Sequence, residues 1–63
     1  MKVYIEKINQ YKNTKAKTVK ELLEKLKINP TTVIVTRNNE LITEEQKIKD
    51  SDKIKILSVI SGG

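Results

Sequence analysis

The sequence predicts an α+β fold in which a single helix lies across one face of a small β-sheet. Three observations carry that prediction. The two ends of the chain alternate polar and apolar residues with period two, as in Lys2-Val3-Tyr4-Ile5 and Lys53-Ile54-Lys55-Ile56. The stretch Thr18-Val19-Lys20-Glu21-Leu22-Leu23-Glu24-Lys25-Leu26-Lys27-Ile28 repeats its apolar residues at helical spacing instead. Short runs of Asn and Asp separate the periodic segments, as turns require.

The first strand is predicted over Lys2 to Ile8, with Val3 and Ile5 on one face and Tyr4, Glu6 and Ile8 on the other. Asn9-Gln10 then forms a turn into a more polar, edge-like strand from Tyr11 to Ala16, completing an N-terminal hairpin. The helix follows. Thr18 caps the free amides of its first turn, Glu21 closes a capping box, and Val19, Leu22, Leu23 and Leu26 form one buried stripe. Glu21 and Lys25 pair four residues apart in the favourable order, and Asn29-Pro30 stops the helix. The β-branched run Thr32-Val33-Ile34-Val35-Thr36-Arg37 is a strand that returns through Asn38-Asn39 into a short strand, Glu40-Leu41-Ile42. Thr43 to Gln46 is expected to cap a single helical turn. Asp50-Ser51-Asp52 turns the chain into a last strand, Lys53 to Ile60.

Composition narrows the chemistry. A 63-residue chain hides only ~60% of its unfolded surface on folding, which leaves room for one thin core and no deep cleft. With no Cys, His or Trp, it lacks thiol nucleophiles, imidazole bases, disulfides and the common zinc and haem ligands. Catalysis by the chain itself is therefore not expected. Asp50 and Asp52 have the spacing that opens a calcium loop, but the later loop glycine and glutamate are missing, so an Asx turn is the better reading and no metal is expected. Glu44 and Glu45 are adjacent on a turn, where their side chains diverge, and they make no acid/base pair. The formal charge is +5, with Arg37 the only arginine. The lysines are scattered along the chain and only two tyrosines are present to stack a base, which argues against a nucleic-acid footprint. No segment has the ~20 apolar residues of a membrane span, and the N-terminus has no signal-type apolar stretch, so a cytoplasmic location without membrane contact is expected.

The last strand says which sheet face stays open. Ile54, Ile56, Ser58 and Ile60 fall on one side, and Lys53, Lys55, Leu57 and Val59 on the other. One helix covers one face, so the lysine-bearing side is predicted to meet solvent. Leu57 and Val59, joined by Tyr4 from the first strand and Ile34 from the third, then form an exposed apolar patch for docking a partner. Both glycines of the chain, Gly62 and Gly63, come directly after this strand. Residues 1–60 are thus expected to form the folded body, and 61–63, Ser61-Gly62-Gly63, a flexible tail that packing does not easily hold.

The pattern "KTVKELLEKL", then "VIVTRNNELI", then "DSDKIKILSVISGG" resembles the small β-grasp sulfur carriers over essentially the whole chain. The thiamine-biosynthesis carrier family (ThiS) is the nearer likeness, and the small subunit of molybdopterin synthase (MoaD) the less close. Ubiquitin-like modifiers of archaea share the same end. The chain departs from the family in its turns, with Asp50-Ser51-Asp52 in place of Asp-Gly-Asp and Asn38-Asn39 in place of Asn-Gly.

The resemblance implies a ubiquitin-like β-grasp: a mixed sheet of four or five strands, first and last parallel at its centre, with the helix across one face. It also implies that Gly63 is adenylated by a ubiquitin-activating-type enzyme using MgATP, that a persulfide donor converts the adenylate to a thiocarboxylate, and that a sulfur-accepting synthase consumes it. No bound cofactor is implied. The protein would be a co-substrate and not an enzyme, its sulfur most expected to serve the thiazole of thiamine. Molybdopterin synthesis, tRNA thiolation and attachment of Gly63 to protein lysines are the alternative ends of the same chemistry.

Overall fold

The computed structural model describes residues 1–59. Its elements are β1 (Lys2–Ile5), β2 (Gln10–Asn13), α1 (Val19–Lys25), β3 (Val33–Arg37), β4 (Glu40–Ile42) and β5 (Ile54–Ser58), with 3₁₀ turns at Glu6–Ile8 and Pro30–Thr32. The strands form one sheet in the order β2-β1-β5-β3-β4. β1 and β5 run parallel with Val3 opposite Ile54 and Ile5 opposite Ile56, and the remaining neighbours are antiparallel. A mixed five-stranded sheet with one helix is the ubiquitin-like β-grasp.

The core lies between the helix and one sheet face. Val3 and Ile5 from β1, Val35 from β3, and Ile54 and Ile56 from β5 are buried against Val19, Leu22 and Leu23 of α1. Ile48, in the connection between β4 and β5, is also buried, at 6% exposure. That connection is tied to the start of the helix. Val19 and Lys20 donate their amides to the carbonyls of Gln46 and Glu44 at 3.2 and 3.0 Å, and Ile48 donates to Lys17 at 2.9 Å. Two otherwise partnerless amides of the first helical turn are satisfied this way.

Thr18 caps the helix as expected, its hydroxyl accepting from the Glu21 amide at 3.2 Å. The reciprocal arm of the capping box is replaced by an ion pair, because Glu21 turns its carboxylate to Lys25 at 3.5 Å. The helix is shorter than the periodicity predicts. It ends at Lys25 because Lys27 adopts a left-handed φ of 57°. Ile28 then donates to Leu23 at 2.9 Å and Lys27 to Glu24 at 3.1 Å, the paired bonds of a Schellman motif. Asn29-Pro30 opens the following 3₁₀ turn, with the Asn29 side chain accepting from the Thr31 amide at 3.0 Å.

Four further boundaries differ from the sequence reading. The first strand ends at Ile5, not Ile8, because the chain winds into the 3₁₀ turn and closes on Asn9, which has a left-handed φ of 50°. Ile8 leaves the sheet and is 47% exposed. The second strand covers Gln10–Asn13 and not Tyr11 to Ala16. Thr43 to Gln46 is a β-turn closed by the Gln46 amide on the Thr43 carbonyl at 3.1 Å, not a turn of helix. Ser58, expected on the covered side, is exposed, because α1 stops short of that end of the sheet. Ile60, Ser61, Gly62 and Gly63 lie outside the described residues.

The two turns that depart from the family pattern nevertheless form. Asn38 and Asn39 have φ of 52° and 71°, the positive values that a two-residue type I′ hairpin needs at both central positions. Asp52 closes the later turn, its carboxylate accepting from the Lys49 amide at 2.8 Å and from Asn38 Nδ2 at 3.4 Å. Asn38 in turn accepts from the Lys53 amide at 3.0 Å, so each turn holds the other.

Candidate functional site

Strand register determines what shares the open face. Tyr11 stands opposite Tyr4, Tyr4 opposite Lys55, Lys55 opposite Thr36, and Thr36 opposite Leu41, one row across all five strands. One pleat further along, Leu57 stands opposite Ile34. Tyr4, Ile34 and Leu57 therefore meet on the face turned away from the helix. Ile34 is 38% exposed, while Tyr4 and Leu57 are half-buried by their neighbours. Leu57 is thus less open than alternation alone suggests.

The same face carries two apolar residues that sequence reasoning left out, Leu41 at 71% and Tyr11 at 61% exposure. β4 has only three residues, too few for alternation to assign a face to Leu41. Tyr11 joins Tyr4 through a hairpin register that depends on the 3₁₀ turn between them. The two rings are tilted at 55° with centroids 5.1 Å apart, a favoured edge-on arrangement, and Lys2 Nζ lies 4.7 Å from the Tyr11 centroid. Tyr4 also donates its hydroxyl to Asn9 Oδ1. The open face is an apolar strip of tyrosines and aliphatics crossed by lysines.

Val59 behaves differently from Leu57. It follows the last residue of β5, and its amide donates to the Thr32 carbonyl at 3.0 Å. It lines a groove on the helix side, together with Ile8, Leu26 and Ile28. Strict alternation lapses once the strand has ended, which is why Val59 reaches that side.

Among the described residues, the aspartates of the last turn are engaged in the fold. Asp52 is committed to its turn, and Asp50 sits 4.0 Å from the N-terminal amine. Among the described residues no group of three or more Asp, Glu, His or Cys is placed to hold a metal ion. No helix among them is long and apolar enough to cross a membrane.

The family model of the ThiS family matches residues 3–63, nearly the whole chain and through both terminal glycines. The chain belongs to the ThiS family. A curated relative, the sulfur carrier protein TtuB of Thermus thermophilus, is 44% identical over 45 residues, which is 71% of this chain and 69% of that protein. Like the family, the chain is a sulfur carrier, and sulfur carriers are small protein substrates.

Proposed function

We propose that the reactive group is the carboxylate of Gly63, and that residues 1–60 serve as a handle for a tail formed by Ser61, Gly62 and Gly63. The observation that carries this reading is that the ThiS match runs through Gly63, directly beyond the central strand β5. A carboxylate is a poor acyl donor. A carboxylate oxygen attacks the α-phosphorus of MgATP bound to the activating enzyme, pyrophosphate leaves, and the acyl adenylate is a good donor. A persulfide sulfur then displaces AMP, and thiol cleavage of the remaining S–S bond leaves a thiocarboxylate on Gly63.

Two features of the chain suit these steps. A side chain at residue 63 would crowd the carbonyl under attack, and one at 62 would widen a peptide that must thread to the nucleotide. Three extended residues reach roughly 10 Å, enough to pass from a docked body into a partner's active site. Docking is assigned to the open face, with Tyr4, Ile34 and Leu57 as contacts, whereas Val59 lies on the helix side. The sulfur acceptor is read as a thiazole-forming synthase of thiamine biosynthesis, cytoplasmic like the carrier. Molybdopterin synthesis, tRNA thiolation and conjugation to lysine could draw on the same adenylate.

The test is intact mass after incubation with the activating enzyme, MgATP and a persulfide donor. An oxygen-to-sulfur mass increment at the C-terminus is expected, with loss of the increment on deletion of Gly62 and Gly63 or on Leu57→Asp. An unchanged mass with a competent activating enzyme would refute the reading.

A further inference from the structure

The groove that Val59 lines is a consequence of where the helix stops. α1 spans only about 10 Å at 1.5 Å per residue, and the Schellman turn at Lys27 ends it before the sheet ends. The helix-side row of Ser58 opposite Val33 is left uncovered, and the 3₁₀ turn moves Ile8 to its rim. A groove of about 650 Å³ results, floored by Leu26, Ile28, Val33 and Ile56 and edged by Ile8 and Val59. Ile8 is 47% and Val59 36% exposed, an aliphatic pair held open to solvent.

We propose that this groove is a second docking site, which takes an acidic peptide segment with apolar anchors from the protein that accepts sulfur from the tail. The inference rests on the carrier reading given above. Charge selects the occupant. Lys7, Lys12 and Lys27 stand around the apolar floor, and none of the thirteen lining residues is an Asp or Glu. Carboxylates approaching this rim gain charge-assisted hydrogen bonds while aliphatic side chains fill the floor. A second copy of the chain is disfavoured, because it brings its own net charge of +5 to a basic rim. Position selects the partner. One residue, Ile60, separates Val59 from the tail in sequence, and the groove lies on the opposite side of the sheet from the face assigned to the activating enzyme. Activation and delivery are successive steps, and separate faces let the acceptor engage the body without competing for the activator's surface.

The first experiment titrates the ¹⁵N-labelled full chain with a synthetic peptide, acetyl-Glu-Leu-Glu-Glu-Leu-Leu-Glu-amide, and with its counterpart carrying Gln for every Glu. Saturable shifts at the amides of Ile8, Lys27, Ile28 and Val59 are expected. The Gln peptide should bind about tenfold more weakly, as should the acidic peptide to Lys7→Glu/Lys12→Glu. Shifts confined to Tyr11, Ile34 and Leu41, or equal binding of the two peptides, would overturn the proposal. Ile8→Asp tests the apolar rim, and the exposed Lys7→Glu/Lys12→Glu pair decides the matter if that variant does not fold. The second experiment follows thiocarboxylate formation and its consumption by the thiazole-forming synthase. In Lys7→Glu/Lys12→Glu, consumption should slow about tenfold more than formation does, and equal slowing or none counts against the groove. If the unsubstituted chain forms no thiocarboxylate, the carrier reading has failed, and the peptide titration alone decides the groove.

Discussion

Lys27 shows how a single backbone conformation shapes this molecule. Its φ of 57° is left-handed in a residue with a Cβ, at the position after a helix where glycine is usual. Lys27→Gly is expected to stabilise the fold by about 0.5–1 kcal/mol, the left-handed penalty of ~1–2 less the added chain entropy of glycine. A higher urea midpoint with an unchanged slope would show it. Thr36 offers the opposite case. Its hydroxyl is buried, in the row between Lys55 and Leu41, without a hydrogen-bond partner among the described residues. Thr36→Val keeps the shape and removes the unpaired group, so a gain of about 1 kcal/mol is expected in the same denaturation assay. Thr18→Ala, which deletes the helix cap, should cost about 1 kcal/mol.

At the scale of elements, the connection between β4 and β5 holds more of the fold than its irregular backbone suggests. It supplies buried Ile48 and satisfies amides at the start of α1. Ile48→Ala is expected to cost about 2–4 kcal/mol, close to what a helix core substitution costs. β4 provides the contrast. Leu41 is 71% exposed, and Leu41→Lys should change stability by no more than about 0.5 kcal/mol. Parallel urea titrations of the two variants compare the elements directly. If Leu41→Lys proved the more damaging, the open face would be part of the core and not a surface for partners.

For the whole molecule, the proposed division between body and tail sets the expectations. The buried core residues lie between Val3 and Ile56, and the central strand β5 is the last element before the tail in sequence. Deleting Gly62 and Gly63 is therefore expected to leave the urea midpoint unchanged within about 0.5 kcal/mol while abolishing thiocarboxylate formation. A large loss of stability in that deletion would mean that the tail belongs to the body. The two faces should also separate by step. Leu57→Asp on the open face is expected to slow activation, and charge reversal at the groove to slow delivery.

The sequence by itself determined the main elements and the sides of the residues within them. Period two at the two ends, the helical stripe of Val19, Leu22 and Leu23, the Thr18 cap and the Asn38-Asn39 turn are all local, decided by neighbours a few residues away, and the structure keeps them. Alternation also set Leu57 apart from Ile54 and Ile56, and Tyr4 apart from Val3 and Ile5, since a side-chain period of two leaves no other choice within a strand; their meeting with Ile34 came from the pairing. Tertiary structure decided the rest. Which strands pair, and so the meeting of Tyr11 with Tyr4 and of Leu41 with their row, depends on contacts between distant segments. The burial of Ile48 depends on the tie between its connection and the start of α1, the placement of Val59 on where β5 ends, and the exposure of Ser58 on how far one short helix reaches over the sheet, a length set by the Schellman turn and invisible to periodicity. A helix of seven residues covers less sheet than its eleven-residue sequence signal promises, and that shortfall is what opens the groove.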